Sequence, residues 1–86
     1  MASPKIAVEW PKEARADVRR IDRATAMEIL RCLTRYLKTG AGDVKKLQPP
    51  RTEFRLRCGD YRVFFVLRGE NAITVTGVEN RREAYR

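Results

Sequence analysis

Arg55, Arg57 and Arg62 lie within one stretch, FRLRCGDYRVFFVLR (Phe54–Arg68), at spacings that would bring three guanidinium groups onto one surface. The stretch reads as two alternating strands joined at Gly59-Asp60, residues that tolerate the positive φ values of a tight two-residue turn. With those two residues in the turn, Cys58 faces Tyr61, Arg57 faces Arg62, Leu56 faces Val63 and Arg55 faces Phe64. Successive side chains alternate between faces. Phe54, Leu56, Cys58, Tyr61, Val63, Phe65 and Leu67 therefore share an apolar face, and the arginines share the other. Like charges gathered on one side of a ribbon repel one another unless an anion sits among them. Glu53 is the one carboxylate expected on that side.

The rest of the composition narrows the chemistry. The chain has no histidine and two isolated cysteines, which exclude zinc and iron clusters. Its acidic residues are scattered singly, against a two-metal nuclease site. Gly40-Ala-Gly42 is too short for a phosphate-binding loop, and no Ser-His or Cys-His pair can be assembled. No metal or cofactor is expected. Arginine, lysine and tyrosine remain, and that set suits RNA strand scission in which the substrate's own 2′-hydroxyl attacks the adjacent phosphate. The protein then has only to bend the backbone and stabilise charge on the phosphorane, for which guanidinium is well shaped. Tyr85 could stack on a base or take part in proton transfer. The formal net charge of +8 and sequence pI of about 10.2 make a polyanion the expected partner, nucleic acid ahead of a membrane surface. The plainer alternative is charge that only keeps a small protein soluble.

Elements that could position these residues follow from the pattern. Lys5–Trp10 alternates imperfectly and reads as a first strand. Pro11 opens a short helix with Ala14, Val18 and Ile21 inward and Arg15, Arg19 and Arg20 outward. Asp22 is the N-cap of a second helix, whose apolar stripe is Ala26, Ile29, Leu30, Leu33 and Leu37 and which ends at Gly40. Val44–Leu47 is too short to classify, and Pro49-Pro50 predicts an extended connection. After the arginine hairpin, Gly69-Glu70-Asn71 forms a second turn, with Asn71 expected in the left-handed conformation. Ala72–Val78 is then a strand in which Ile73 faces Leu67 and Val75 faces Phe65, with Gly77 marking a bulge near its end. Glu79–Arg86 has no apolar periodicity and is expected on the surface.

These elements give one α+β domain over residues 1–86: an N-terminal strand, a helical hairpin on one face of a twisted antiparallel sheet, and a short C-terminal tail. Cys32 and Cys58 are expected as buried free thiols. No apolar run approaches the roughly 18 residues needed to span a bilayer. The N-terminus lacks the apolar core of a signal peptide, so the expected location is cytoplasmic.

GDVKKL (Gly42–Leu47), FRLRCGDYRVFF (Phe54–Phe65) and the ending V-x-N-R-R-E-A-Y-R (Val78–Arg86) together resemble the RelE/ParE superfamily of type II toxin–antitoxin toxins, RelE branch, over essentially the whole chain. The resemblance implies a compact microbial-RNase-like fold. It also implies a ribosome-dependent mRNA interferase, an endoribonuclease that cuts mRNA in the A site and inhibits translation. Its partners would be the mRNA on the ribosome, rRNA and a cognate antitoxin, through which a heterotetramer can form. Carried over by motif, Arg62, Arg81 and Tyr85 are the implied catalytic residues, and Arg55, Arg57, Lys45, Lys46 and Arg82 the implied RNA contacts.

There are two departures. The RelE branch carries lysines at the positions of Arg55 and Arg57, and arginine does not shed a proton. Many relatives have histidine where this chain has Asn80. The proton acceptor would then be Tyr85, Glu53 or a group of the ribosome. Two other readings stay open: a ParE-like inhibitor of DNA gyrase, and a weak or inactive RNA-binding relative.

Overall fold

The computed structural model describes residues 7–80. Its elements are β1 (Ala7–Glu9), α1 (Lys12–Arg19), α2 (Arg23–Thr39), β2 (Asp43–Lys46), β3 (Phe54–Cys58), β4 (Tyr61–Leu67) and β5 (Ala72–Asn80). The strands form one sheet in the order β1-β5-β4-β3-β2. Its neighbours are antiparallel except β1 and β5, which are parallel, so the sheet is mixed rather than wholly antiparallel. The cause is the helical hairpin: a parallel neighbour needs a crossover connection, and α1 and α2 follow β1 in the chain before any other strand.

Both helices cover one face. Leu56, Val63, Phe65 and Val75 are fully buried there beneath Ala14 of α1 and Ile29 and Leu33 of α2. Phe65 is the centre of the layer, stacked on Phe54 at 5.6 Å between ring centroids and tilted against Tyr36 at 5.9 Å. Each such side chain contributes about 1.5–3 kcal/mol on burial. The second helix starts as its sequence predicts, the Asp22 carboxylate accepting from the Thr25 N–H at 3.0 Å, and its C-cap is Gly40.

The arginine hairpin has the predicted register: Cys58 pairs with Tyr61, Arg57 with Arg62, Leu56 with Val63 and Arg55 with Phe64. In its turn Gly59 alone takes a positive φ, the pattern of a two-residue turn with glycine first. In the next turn Gly69, not Asn71, carries the positive φ. Glycine has no Cβ to oppose it.

One unclassified stretch takes a definite form, and two further expectations are corrected. Residues 43–46 form an edge strand, β2, against β3. Pro49-Pro50 is not extended: its peptide bond is cis, and the Arg51 N–H donates to the Gln48 carbonyl at 3.1 Å, closing a turn. Cys32 and Cys58 are joined by a disulfide between α2 and β3, with Cα atoms 5.9 Å apart, instead of being free thiols.

The bulge near Gly77 falls inside β5 rather than near its end. Phe65 pairs with Val75 but Phe64 with Gly77, which inserts one extra residue. Both Val75 and Val78 consequently face the core, and Glu79 emerges on the other side, opposite Arg62. Beyond Thr74, β1 no longer covers β5, and the Asp17 carboxylate of α1 accepts from the Val78 N–H at 3.1 Å.

Candidate nucleic-acid interface

The sheet face away from the helices is built in rows across the strands. One row runs Asp43, Arg57, Arg62, Glu79; the next runs Lys45, Arg55, Phe64 and the bulge at Gly77. Directly paired residues in an antiparallel sheet sit about 4.5–5.5 Å apart, so these charges are near neighbours. Arg55, Arg57 and Arg62 thus share one face, and Lys45 joins them. Lys46 pairs with Phe54 and has the opposite facing. Arg81, Arg82 and Tyr85 lie outside the described residues.

The face is not uniformly basic. Asp43 stands across from Arg57 and Glu79 across from Arg62, so the two central arginines of that row are bracketed by carboxylates. The residue pattern predicts neither: Asp43–Lys46 is too short to classify on its own, and the bulge sets the facing of Glu79. Arg57 is exposed and Arg62 half-buried. Within the next row the Arg55 Nε is buried and donates to no described acceptor. A buried donor without a partner costs about 1–3 kcal/mol, more when charged. An anion among these side chains would remove that cost.

Two polar relays flank the rows. The Thr76 hydroxyl donates to Glu53 Oε2 at 2.8 Å, and Arg51 Nε donates to Glu53 Oε1 at 3.3 Å. The Arg51 guanidinium carbon stands 5.4 Å from the centre of the Phe64 ring. Phe64, an aromatic residue on the polar face, is only 7% exposed, and Arg51 supplies part of its cover. In the second relay Arg68 Nε donates to the Thr74 hydroxyl at 3.2 Å, which donates to Glu9 Oε2 at 3.3 Å. The Thr76 hydroxyl first, and Arg51 after it, hold the Glu53 carboxyl below its ordinary value against the opposing effect of burial. A carboxyl so held is a weaker base, and its contacts with Thr76 and Arg51 fix it in place. Among the described residues no group of three or more Cys, Asp or Glu is placed to hold a metal ion, and no helix is long and apolar enough to cross a membrane.

The family model described as the ParE toxin of the type II toxin–antitoxin system parDE matches residues 8–85. The chain belongs to this ParE toxin family. No curated protein matches it. Among solved structures, the toxin–antitoxin complex RelBE2 from Mycobacterium tuberculosis superposes with a TM-score of 0.72 at 20% identity, over 90% of this chain and 99% of that one. The archaeal RelE–RelB complex from Pyrococcus horikoshii OT3 gives a TM-score of 0.72 at 20% identity, over 90% and 96% of the two chains. The intact Escherichia coli RelBE complex gives 0.64 at 14% identity, over 87% and 95%. The ParE-family chain therefore has the RelE-like fold, within the RelE/ParE superfamily that its motifs resemble.

Proposed function

We propose that this ParE-family toxin is an mRNA endonuclease acting on the translating ribosome, without metal, and held inactive by a cognate antitoxin. The observation that carries the reading is the convergence of Lys45, Arg55, Arg57 and Arg62 on the face the helices leave open, with the Arg55 Nε buried and unpartnered. A phosphodiester laid on that face meets guanidinium donors from two strands. The 2′-oxygen forms the new bond to phosphorus, the bond to the 5′-oxygen breaks, and a proton passes to that leaving oxygen. The products are a 2′,3′-cyclic phosphate and a 5′-hydroxyl. Arg62 and Arg81 stabilise the phosphorane charge, Tyr85 carries the proton, and Lys45, Lys46, Arg55, Arg57 and Arg82 bind mRNA or rRNA.

The antitoxin reading draws on the solved relatives, several of which are toxin–antitoxin complexes. An antitoxin covering the open face would block it, and two such pairs can join into a heterotetramer through the antitoxin. The toxin would act in the cytoplasm, where ribosomes are.

Induction in a bacterial host, with mapping of new mRNA 5′ ends, tests the proposal. The expected result is in-frame cleavage within codons on translating ribosomes, lowered about 10²–10³-fold by Arg62→Ala or Arg81→Ala. Inhibition of DNA gyrase is the second reading, favoured by the ParE description of the matching family model. Trapped gyrase–DNA complexes with intact mRNA would establish it and overturn the first. Ribosome binding with neither cleavage nor trapped gyrase would instead identify a non-catalytic RNA-binding relative.

A further inference from the structure

At the Pro49–Arg51 end of the open face lies a cleft of about 560 Å³, with Lys46, Pro49, Pro50, Arg51, Val66 and Arg68 in its wall. Its size falls in the usual range for small-ligand sites, roughly 300–1,000 Å³. Its wall combines three cations with the apolar surfaces of two prolines, Val66, Phe54 and Leu67. Lys46, whose strand position faces it away from the arginine rows, is gathered into this cleft instead.

The two arginines are held in the same manner. Glu53 engages Arg51 at Nε, and Thr74 accepts from Arg68 at Nε. Each anchor is itself held by a further group: Thr76 donates to Glu53, and Thr74 donates to Glu9. Guanidinium carries five donors, and an anchor at Nε leaves those of the two terminal nitrogens for a ligand. That edge suits bidentate contact with phosphate. The Arg51 side chain is 55% exposed, so the anchor fixes it without enclosing it.

We propose that this cleft is a separate nucleotide subsite for single-stranded RNA. Arg51 and Arg68 take the phosphate, Pro49, Pro50 and Val66 pack the base, and Glu53 is the positioning residue for Arg51. The subsite rests on the RNA reading above and extends it to a nucleotide beyond the Arg55–Arg57–Arg62 rows. It gives Glu53 a role opposite to the one its charge suggests. A carboxylate on an RNA-binding surface repels phosphate, so its neutralisation should tighten binding. A carboxylate that orients an arginine weakens binding when neutralised.

The test measures affinity of the full-length protein for a labelled single-stranded RNA octamer across a salt series. Arg51→Ala and Arg68→Ala are expected to weaken binding about tenfold each and to lower the salt slope by about 0.7 apiece. Arg31→Ala, which removes the same charge from the outer surface of α2, should change affinity much less. Glu53→Gln is expected to weaken binding about threefold while Arg51 is present. In an Arg51→Ala background the same change should tighten binding or leave it unaltered. Thermal unfolding of each variant separates these effects from loss of fold. If the wild-type protein binds the octamer and both arginine variants match it, the subsite is overturned. Tighter binding by Glu53→Gln in the wild-type background overturns the positioning role. Failure of the wild-type protein to bind RNA at any salt, or on ribosomes, overturns the RNA reading itself.

Discussion

Gly42→Ala should be among the most damaging single-methyl changes in this toxin. Gly42 leads into β2, the edge strand that carries Lys45, and its φ is +152°, a region costly to residues with a side chain. A Cβ built there would lie 3.0 Å from Leu56 Cδ1 and 3.6 Å from Tyr36 Cδ1. Leu56 is 0% exposed, so its methyl would have to shift within the packed core to make room. The backbone conformation costs about 1–3 kcal/mol, and overpacking adds about 1–3 kcal/mol. The combined loss of about 2–6 kcal/mol, at about 4–8 °C per kcal/mol for a domain of this size, corresponds to a fall in Tm of at least about 8 °C. Gly40→Ala is the internal control. It too has a positive φ, +75°, but nothing lies within 4 Å of its added Cβ. It should therefore cost only the left-handed conformation, about 1–2 kcal/mol. Thermal and urea unfolding of both variants checks the difference. Equal Tm values would refute the close approach of Gly42 to Leu56 as the reason for glycine.

Two further perturbations follow from the same packing. Reduction of the Cys32–Cys58 disulfide, which closes a sequence separation of 26, should lower stability by about 3.5 kcal/mol on the chain-entropy account. Urea midpoints with and without a dithiol reductant test it, and a doubly Ser-substituted protein should not respond; identical wild-type midpoints would show that the cross-link contributes nothing. The Glu53 carboxyl sits below its ordinary value of 4.5, so its contribution to stability is complete above that pH and fades as pH falls through the lower folded-state value. Glu53→Gln should flatten the acid limb of stability below about pH 4.5, and a limb as steep as the wild type's would place the titrating group elsewhere.

What the sequence made legible was local. The arginine hairpin could be read residue by residue because its turn and its period of two agree, and Asp22 and Gly40 mark the second helix by their own chemistry. The unread parts depend on contacts between distant segments. Four residues, Asp43–Lys46, have no periodicity of their own and become a strand only because β3 offers an edge. The bulge at Gly77 shifts β5 by one residue, and no pattern within Ala72–Val78 shows that Glu79 then meets Arg62. The position of Arg51 over Phe64 comes from the turn at Pro49-Pro50, which the residue pattern does not signal. The Cys32–Cys58 pairing depends on how α2 lies across β3. Resemblance supplied the superfamily; its motifs pointed to the RelE branch, whereas the matching family model is that of ParE toxins.

The carboxylates on the open face bear on what kind of site it is. Attraction for a polyanion would be greatest on a surface with none, yet Asp43 and Glu79 bracket the Arg57–Arg62 pair and Glu53 grips Arg51. Each negative charge lowers the long-range pull on RNA. In return the carboxylates offset repulsion between neighbouring guanidinium groups, and at Arg51 the contact limits the directions the side chain can take. A surface that only had to collect nucleic acid would bind it more strongly without these carboxylates. A reaction whose nucleophile is supplied by its own substrate depends on orientation of the phosphate more than on its capture. On the proposed mRNA-cleaving reading, the mixed charge of the face would serve to hold one phosphodiester in a set geometry rather than to bind RNA along its length.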